Sequence, residues 1–166
     1  MAKTVTIERK CEINVPIDAV WDVSAIRFDH IDEWDANVEK SEALDGIGTQ
    51  STAAGRSCYM YNGRKTVEKI TQFDEAAHSF TYQIVEGLPG FVQSAFNKWT
   101  LKRSGEQRTV LEMRVDMTVT GFLGAIMQGP MKSQMGKVLE KAQAELKHFI
   151  EQKTVHPRKM KQLRKA

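Results

Sequence analysis

Cysteine is nearly absent from this chain of 166 residues. Cys11 and Cys58 are its only two. A pair so few and so far apart makes neither a disulfide framework nor a metal site. Both fall on strand faces that otherwise read as apolar, so reduced core thiols are expected. No run of residues approaches the ~20 apolar positions of a membrane span. No charged leader with an apolar core precedes the first strand pattern, and a soluble cytoplasmic protein is expected. Repeats, linkers and low-complexity blocks are also lacking. No serine stands in a recognisable nucleophile setting. His30, His78, His148 and His156 fall on expected helix surfaces, turns or the tail. A metal cluster, a histidine-based triad or a cofactor is therefore not expected.

A large excess of one charge is missing too. The net charge is +3, and much of the positive excess lies after Glu151. There Lys153, Arg158, Lys159, Lys161, Arg164 and Lys165 occur with no acid, which leaves the body slightly acidic. That distribution argues against nucleic acid as a partner. The length suits one domain with a sizeable core, read as residues 1–152, followed by a basic tail at 153–166. The tail reads as a solvated, fraying terminus with at most weak contact to a membrane surface. Monomer and homodimer both remain open.

What is present is a succession of short strands and one long helix. Residues 4–15 alternate, with Val5, Ile7, Cys11, Ile13 and Val15 on one side and Thr4, Thr6, Glu8, Lys10 and Glu12 on the other. This is a strand with one wet face. Arg9 interrupts the apolar side and is expected to reach a charge or the rim. Pro16 suits a first helical turn, with Ile17, Val20 and Trp21 on its buried edge. A second short helix is expected after it, capped by Asp29, with Phe28, Ile31 and Trp34 on one side. Strands follow at Val38–Leu44, Ser51–Tyr61, Arg64–Phe73, Ser79–Glu86, Ser94–Arg103 and Arg108–Val119, with a turn marked by Gly46 and Gly48. The loop Gly87–Gln93 is rich enough in glycine and proline to gate a cavity or simply to link two strands.

From Gly121 to about Gln152 the periodicity becomes helical. Met127, Met131, Met135, Val138, Ala142, Leu146 and Phe149 recur every three or four residues. Pro130 lies inside that pattern, so a kink or break is expected near it. The order is one strand, two short helices, six strands and one long helix. It gives an α+β fold in which a seven-stranded antiparallel sheet wraps a long C-terminal helix.

These segments carry a resemblance. Ile13-Asn14-Val15-Pro16-Ile17-Asp18-Ala19-Val20-Trp21, the Phe28-Asp29…Trp34 helix, Gly55-Arg56 and Gly63…Glu68-Lys69-Ile70…Phe73-Asp74 all contribute. So do Phe80-Thr81-Tyr82-Gln83-Ile84, Trp99 and Gly121-Phe122-Leu123-Gly124. Together they resemble the START-like or SRPBCC superfamily of helix-grip proteins, in its polyketide cyclase/dehydrase-like branch. The resemblance covers about residues 4–150. It implies a cavity between sheet and long helix that holds a lipid, polyketide, quinone or aromatic metabolite. It does not imply a reaction, because members include both binders and cyclases.

The resemblance also implies that Arg56 and Glu68 face the cavity. The residues alone leave this to the hairpin. A two-residue Asn62-Gly63 turn puts them on opposite faces. A three-residue loop at Asn62–Arg64 puts both on one face with Cys58, Met60, Thr66 and Ile70, and this register is preferred because that face is then more apolar. Either a structural ion pair or a polar anchor for a ligand accounts for such a pair. Tyr82, Asn97 and Trp99 are expected on the same face, with Met113 on the neighbouring strand. Trp34 is expected at one mouth, and Met127, Met131 and Met135 form a flexible thioether wall on the helix. Three functions follow as candidates. The first is a small hydrophobic ligand bound in the cavity. The second is a cyclase, aromatase or dehydratase with Glu68 as general base. The third is a protein-interaction module whose core is filled.

Overall fold

The computed structural model describes residues 1–46, 48 and 51–166. Residue 47, in the expected Gly46–Gly48 turn, lies outside them. Strand β1 (Lys3–Ile13) leads to helix α1 (Ile17–Trp21). After β2 (Val38–Ala43) come β3 (Gly55–Met60), β4 (Lys65–Asp74) and β5 (Ser79–Glu86). Then β6 (Val92–Gly105), β7 (Arg108–Val119), helix α2 (Gly121–Gln152) and helix α3 (Pro157–Leu163) complete the chain. All seven strands form one antiparallel sheet in the order β1-β7-β6-β5-β4-β3-β2. The apolar alternation of each strand turns Ile7, Phe80, Leu101, Leu111, Met113 and Val119 into the core beneath α2. No helix of the described residues is long and apolar enough to cross a membrane.

Several local expectations change. The connection after β1 is not two clean helices. Beyond α1 the chain widens into a π turn at Asp22–Ile26, then tightens into a 3-10 segment at Phe28–Glu33 that is kinked at His30. Asp29 lies in the first turn of that segment and does not cap it; Arg27 holds the N-cap position and no side chain caps the end. The strand expected from Ser51 begins only at Gly55, where the Glu68 carbonyl and Leu44 leave no room for a Cβ.

Helix α2 runs unbroken through Pro130. Two features make that tolerable. Residue 129 is glycine, which has no Cβ to meet the proline ring. The carbonyl freed by the missing N–H belongs to Ile126, and Ile126 and Pro130 are both exposed, so water reaches it.

The buried face of α2 is also rotated from the expected stripe. It consists of Gly124, Gly136, Leu139, Gln143, Glu145, Leu146 and Ile150. Polar residues occupy it because each finds a partner. Gln143 Nε2 donates to the Arg9 carbonyl at 3.0 Å. Lys147 Nζ, on the half-exposed flank, donates to the Glu12 carbonyl at 2.6 Å, so α2 side chains serve carbonyls of edge strand β1. Arg9 crosses the helix over Gly136, whose missing side chain makes the space, and pairs with Glu140 at 2.8 Å.

The tail is not a fraying terminus. His156 caps α3, its Nδ1 accepting from the Arg158 N–H at 3.1 Å, and Pro157 fills the first helical position. Arg158 pairs with Glu145, a wholly buried carboxylate on α2. Lys159 is buried as well and donates to the Val38 carbonyl at 2.6 Å. A buried acid without a cation is costly, and the tail supplies that cation. Burial pushes the Glu145 carboxyl above its ordinary range, while the Ala36 N–H and Arg158 oppose that push. Burial likewise holds the Lys159 amine below its ordinary value.

Candidate functional site

A cavity of about 200 Å³ lies between the concave face of the sheet, the segment before β2 and helix α2. Its walls follow from strand parity and register. On β3 and β4, Arg56 pairs directly with Glu68, and Cys58 with Thr66. On β5 and β6, Tyr82 pairs with Asn97, and Asn97 in turn pairs with Val115 of β7. Trp99 pairs with Met113. Every second residue of these strands therefore faces the same space.

The hairpin between β3 and β4 sets this parity. Its loop has three residues, as preferred from the sequence, but they are Tyr61–Gly63 and not Asn62–Arg64. The Met60 N–H donates to the Arg64 carbonyl at 2.8 Å, and Gly63 turns the chain at φ +83°. The difference slides the pairing by two residues. The faces are unchanged, and Arg56 comes opposite Glu68 itself.

Arg56 is held on several sides. Its Nε donates to Glu68 Oε2 at 2.7 Å, and Nη2 lies 2.6 Å from the same oxygen. Nη1 donates to the Phe28 carbonyl at 2.6 Å, and the guanidinium sits 3.8 Å above the Phe28 ring. The arginine thus clamps the 3-10 segment to the sheet, and its charge is balanced in place. Both contacts fall on Oε2 of Glu68. Among the described residues, Oε1 has no hydrogen bond.

Further along the wall, Asn97 Nδ2 donates to the Tyr82 hydroxyl at 2.8 Å. Among the described residues, Thr66 Oγ1, Asn97 Oδ1 and Trp99 Nε1 are buried and have no hydrogen-bond partner. All three residues line the cavity, and Asn97 and Trp99 are 7% and 4% exposed. Buried tryptophan N–H and amide groups ordinarily find partners. Burial, and then Glu68, raises the Tyr82 phenol well above its ordinary value, so it stays protonated and able to donate. Burial also pushes the Cys58 thiol up to about 12, which keeps it an inert wall.

Of the residues singled out from the sequence, Trp34, Arg56, Glu68, Tyr82, Asn97, Trp99, Met113 and Met135 line the cavity. Met127 and Met131 do not. They lie in the first half of α2, where Phe122, Leu123 and Ile126 are exposed, and Met131 only packs at the margin of the core. One important wall residue escaped sequence reasoning: Asp35. It is buried, lines the cavity, and accepts from the Asn37 N–H at 2.8 Å. Desolvation raises its carboxyl above the ordinary range. Its only sequence signal was an acid directly after an apolar Trp34, at the end of an irregular segment. Among the described residues no group of three or more His, Cys, Asp or Glu side chains could hold a metal ion.

With this geometry in view, known proteins can be set beside the chain. A family model described as polyketide cyclase / dehydrase and lipid transport matches residues 4–151. A START superfamily protein from Mycobacterium smegmatis superposes with a TM-score of 0.74 at 15% identity, covering 90% of this chain and 99% of that one. Truncated norcoclaurine synthase from Thalictrum flavum gives 0.72 at 16% identity, covering 90% and 95%. An uncharacterized protein from Bacillus thuringiensis gives 0.69 at 16%, covering 87% and 98%. No curated protein matches the sequence. At such identities the likeness is one of fold.

Proposed function

The chain belongs to the polyketide cyclase / dehydrase and lipid transport family, and from that premise we propose that it binds a small hydrophobic or amphipathic molecule in the cavity between sheet and α2. One observation carries this reading. Among the described residues, three that line the apolar space carry a buried polar group without a partner: Thr66 Oγ1, Asn97 Oδ1 and Trp99 Nε1. A buried polar group left unpaired costs about 1–3 kcal/mol, and a ligand that supplies the missing hydrogen bonds recovers that cost. The apolar walls supply affinity and these groups supply orientation. The open cavity also weighs against an interaction module with a filled core.

The test is ligand-induced stabilisation across a library of hydrophobic metabolites, with Ala142→Phe as a filled-cavity control. Ala142 lines the cavity from α2. A ligand at a hundred times its Kd is expected to stabilise the native protein by about 2.7 kcal/mol, and the control is expected to lose that gain. Equal stabilisation of both proteins places the binding elsewhere and contradicts the reading.

A second reading, acid–base chemistry on the bound molecule, is favoured by the two carboxyls on the wall. Glu68 keeps Oε1 free of hydrogen bonds for a general base, and desolvation keeps the Asp35 carboxyl protonated toward higher pH as an acid. Turnover of a cyclisable substrate that survives both Glu68→Gln and Asp35→Asn excludes it.

A further inference from the structure

The charge and size of the cavity narrow the ligand class, on the reading that the cavity binds a ligand at all. Its volume is about 200 Å³. An apolar protein cavity of about 150 Å³ accepts benzene, so this one has room for a single substituted ring and none for a sterol or a long chain.

Its one cation is already matched. Arg56, the only cationic side chain among the described residues of the wall, spends Nε and Nη2 on Glu68 and Nη1 on the Phe28 carbonyl. An entering anion meets the carboxylates of Glu68 and Asp35 and finds no free cation. An entering cation at Glu68 meets the repulsion of the Arg56 guanidinium, which already holds that carboxylate through Oε2. At Asp35 it adds to the positive charges of Arg56, Lys159 and Arg158, which already act on that carboxyl.

The buried groups left without a partner are neutral: an acceptor, Asn97 Oδ1, a donor, Trp99 Nε1, and the Thr66 hydroxyl, which can do either. Asn97 and Trp99 stand two residues apart on the same face of β6. The Asn97 amide donates through Nδ2 to the Tyr82 hydroxyl, and that orientation leaves its acceptor, Oδ1, free beside the Trp99 donor. Trp34, Tyr82 and Trp99 present aromatic surface to the same space, and Met60, Met113 and Met135 present thioethers, which favour contact with aromatic rings.

We infer that the ligand is a neutral, single-ring aromatic molecule whose polar substituent both donates and accepts hydrogen bonds, as a hydroxyl or a carboxamide does. The contact pair is Asn97 and Trp99. The carboxylate end of a fatty acid or acidic polyketide is excluded.

The experiment follows the indole N–H resonances of the three tryptophans in the full-length protein. The probes are phenol, benzamide, toluene, benzoate, benzylamine and 1-decanol. Trp99→Phe assigns the Trp99 signal. Phenol and benzamide are expected to bind and to shift that signal. Benzoate and benzylamine are expected to bind at least tenfold more weakly, and decanol not to bind. Asn97→Leu and Trp99→Phe are each expected to weaken benzamide about tenfold, the effect of losing one good hydrogen bond. Neither is expected to weaken toluene, and a purely structural role would move both probes together. Binding of benzoate, benzylamine or decanol as tight as that of benzamide overturns the inference and leaves the cavity reading standing. Equal losses for toluene and benzamide in the two variants also overturn it. Failure of all six probes overturns both.

Discussion

At the scale of single residues, the Arg56–Glu68 pair shows what burial does to a charge. The two side chains are 4% and 10% exposed, so neither charge has water to fall back on. Removing one partner leaves an uncompensated buried ion. Arg56→Ala is expected to destabilise the fold by about 3–5 kcal/mol in urea denaturation. The double variant Arg56→Met/Glu68→Leu is expected to recover most of that loss, because no bare charge remains. A loss as large in the double variant as in the single one contradicts the account. The sequence placed the two residues on one face through an argument about hairpin parity, and that argument survived a misplaced loop because a slide of two residues preserves the face. Asp35 was not legible in the same way. It sits in an irregular segment with no period to assign its face, and an acid there reads as solvated until the sheet closes over it.

At the scale of elements, α2 and α3 show where periodicity is a weak guide. Apolar spacing alone put Met127 and Met131 on the wall, but the first half of α2 buries little and leaves Phe122, Leu123 and Ile126 exposed. Gln143 and Glu145 lie on the inner face because β1 and α3 offer them partners, and partners distant in sequence leave no local signal. Pro130 follows the same logic: its cost is local and is met by solvent. Pro130→Ala restores the bond to the Ile126 carbonyl and is expected to raise stability by up to about 3 kcal/mol, read as a higher Tm. An unchanged Tm contradicts the claim that the proline carries a local cost.

Helix α3 carries a pH dependence. His156 accepts through Nδ1, which requires a neutral ring, and its rings lie 5.3 Å from those of His148. Burial first, then His148 and Arg158, holds its pKa below the ordinary 6.5. A histidine with a lowered native pKa favours the docked state above the ordinary value and loses that contribution as pH falls through the native one. Faster amide exchange in residues 157–163 below pH 6.5, abolished by His156→Asn, is the expected outcome. Exchange independent of pH opening would remove His156 from the docking of the tail.

At the scale of the whole molecule, the strand order and the long terminal helix were legible because alternation and helical spacing are regular over most of the chain. The tail was misread because charge composition alone, six cations without an acid, resembles a solvated terminus. Its partner Glu145 lies on another element. The cavity is a property of neither strand nor helix alone. It arises where the sheet, the segment before β2 and the Met135–Ala142 stretch of α2 meet, and polar groups with no partner among the described residues lie on its wall. The claim that this space is made for a ligand is tested most directly by native mass spectrometry of the freshly purified protein, followed by denaturation and extraction. The account predicts a discrete added mass that disappears on unfolding and is absent from Ala142→Phe. The same added mass in Ala142→Phe, or its persistence after unfolding, contradicts it.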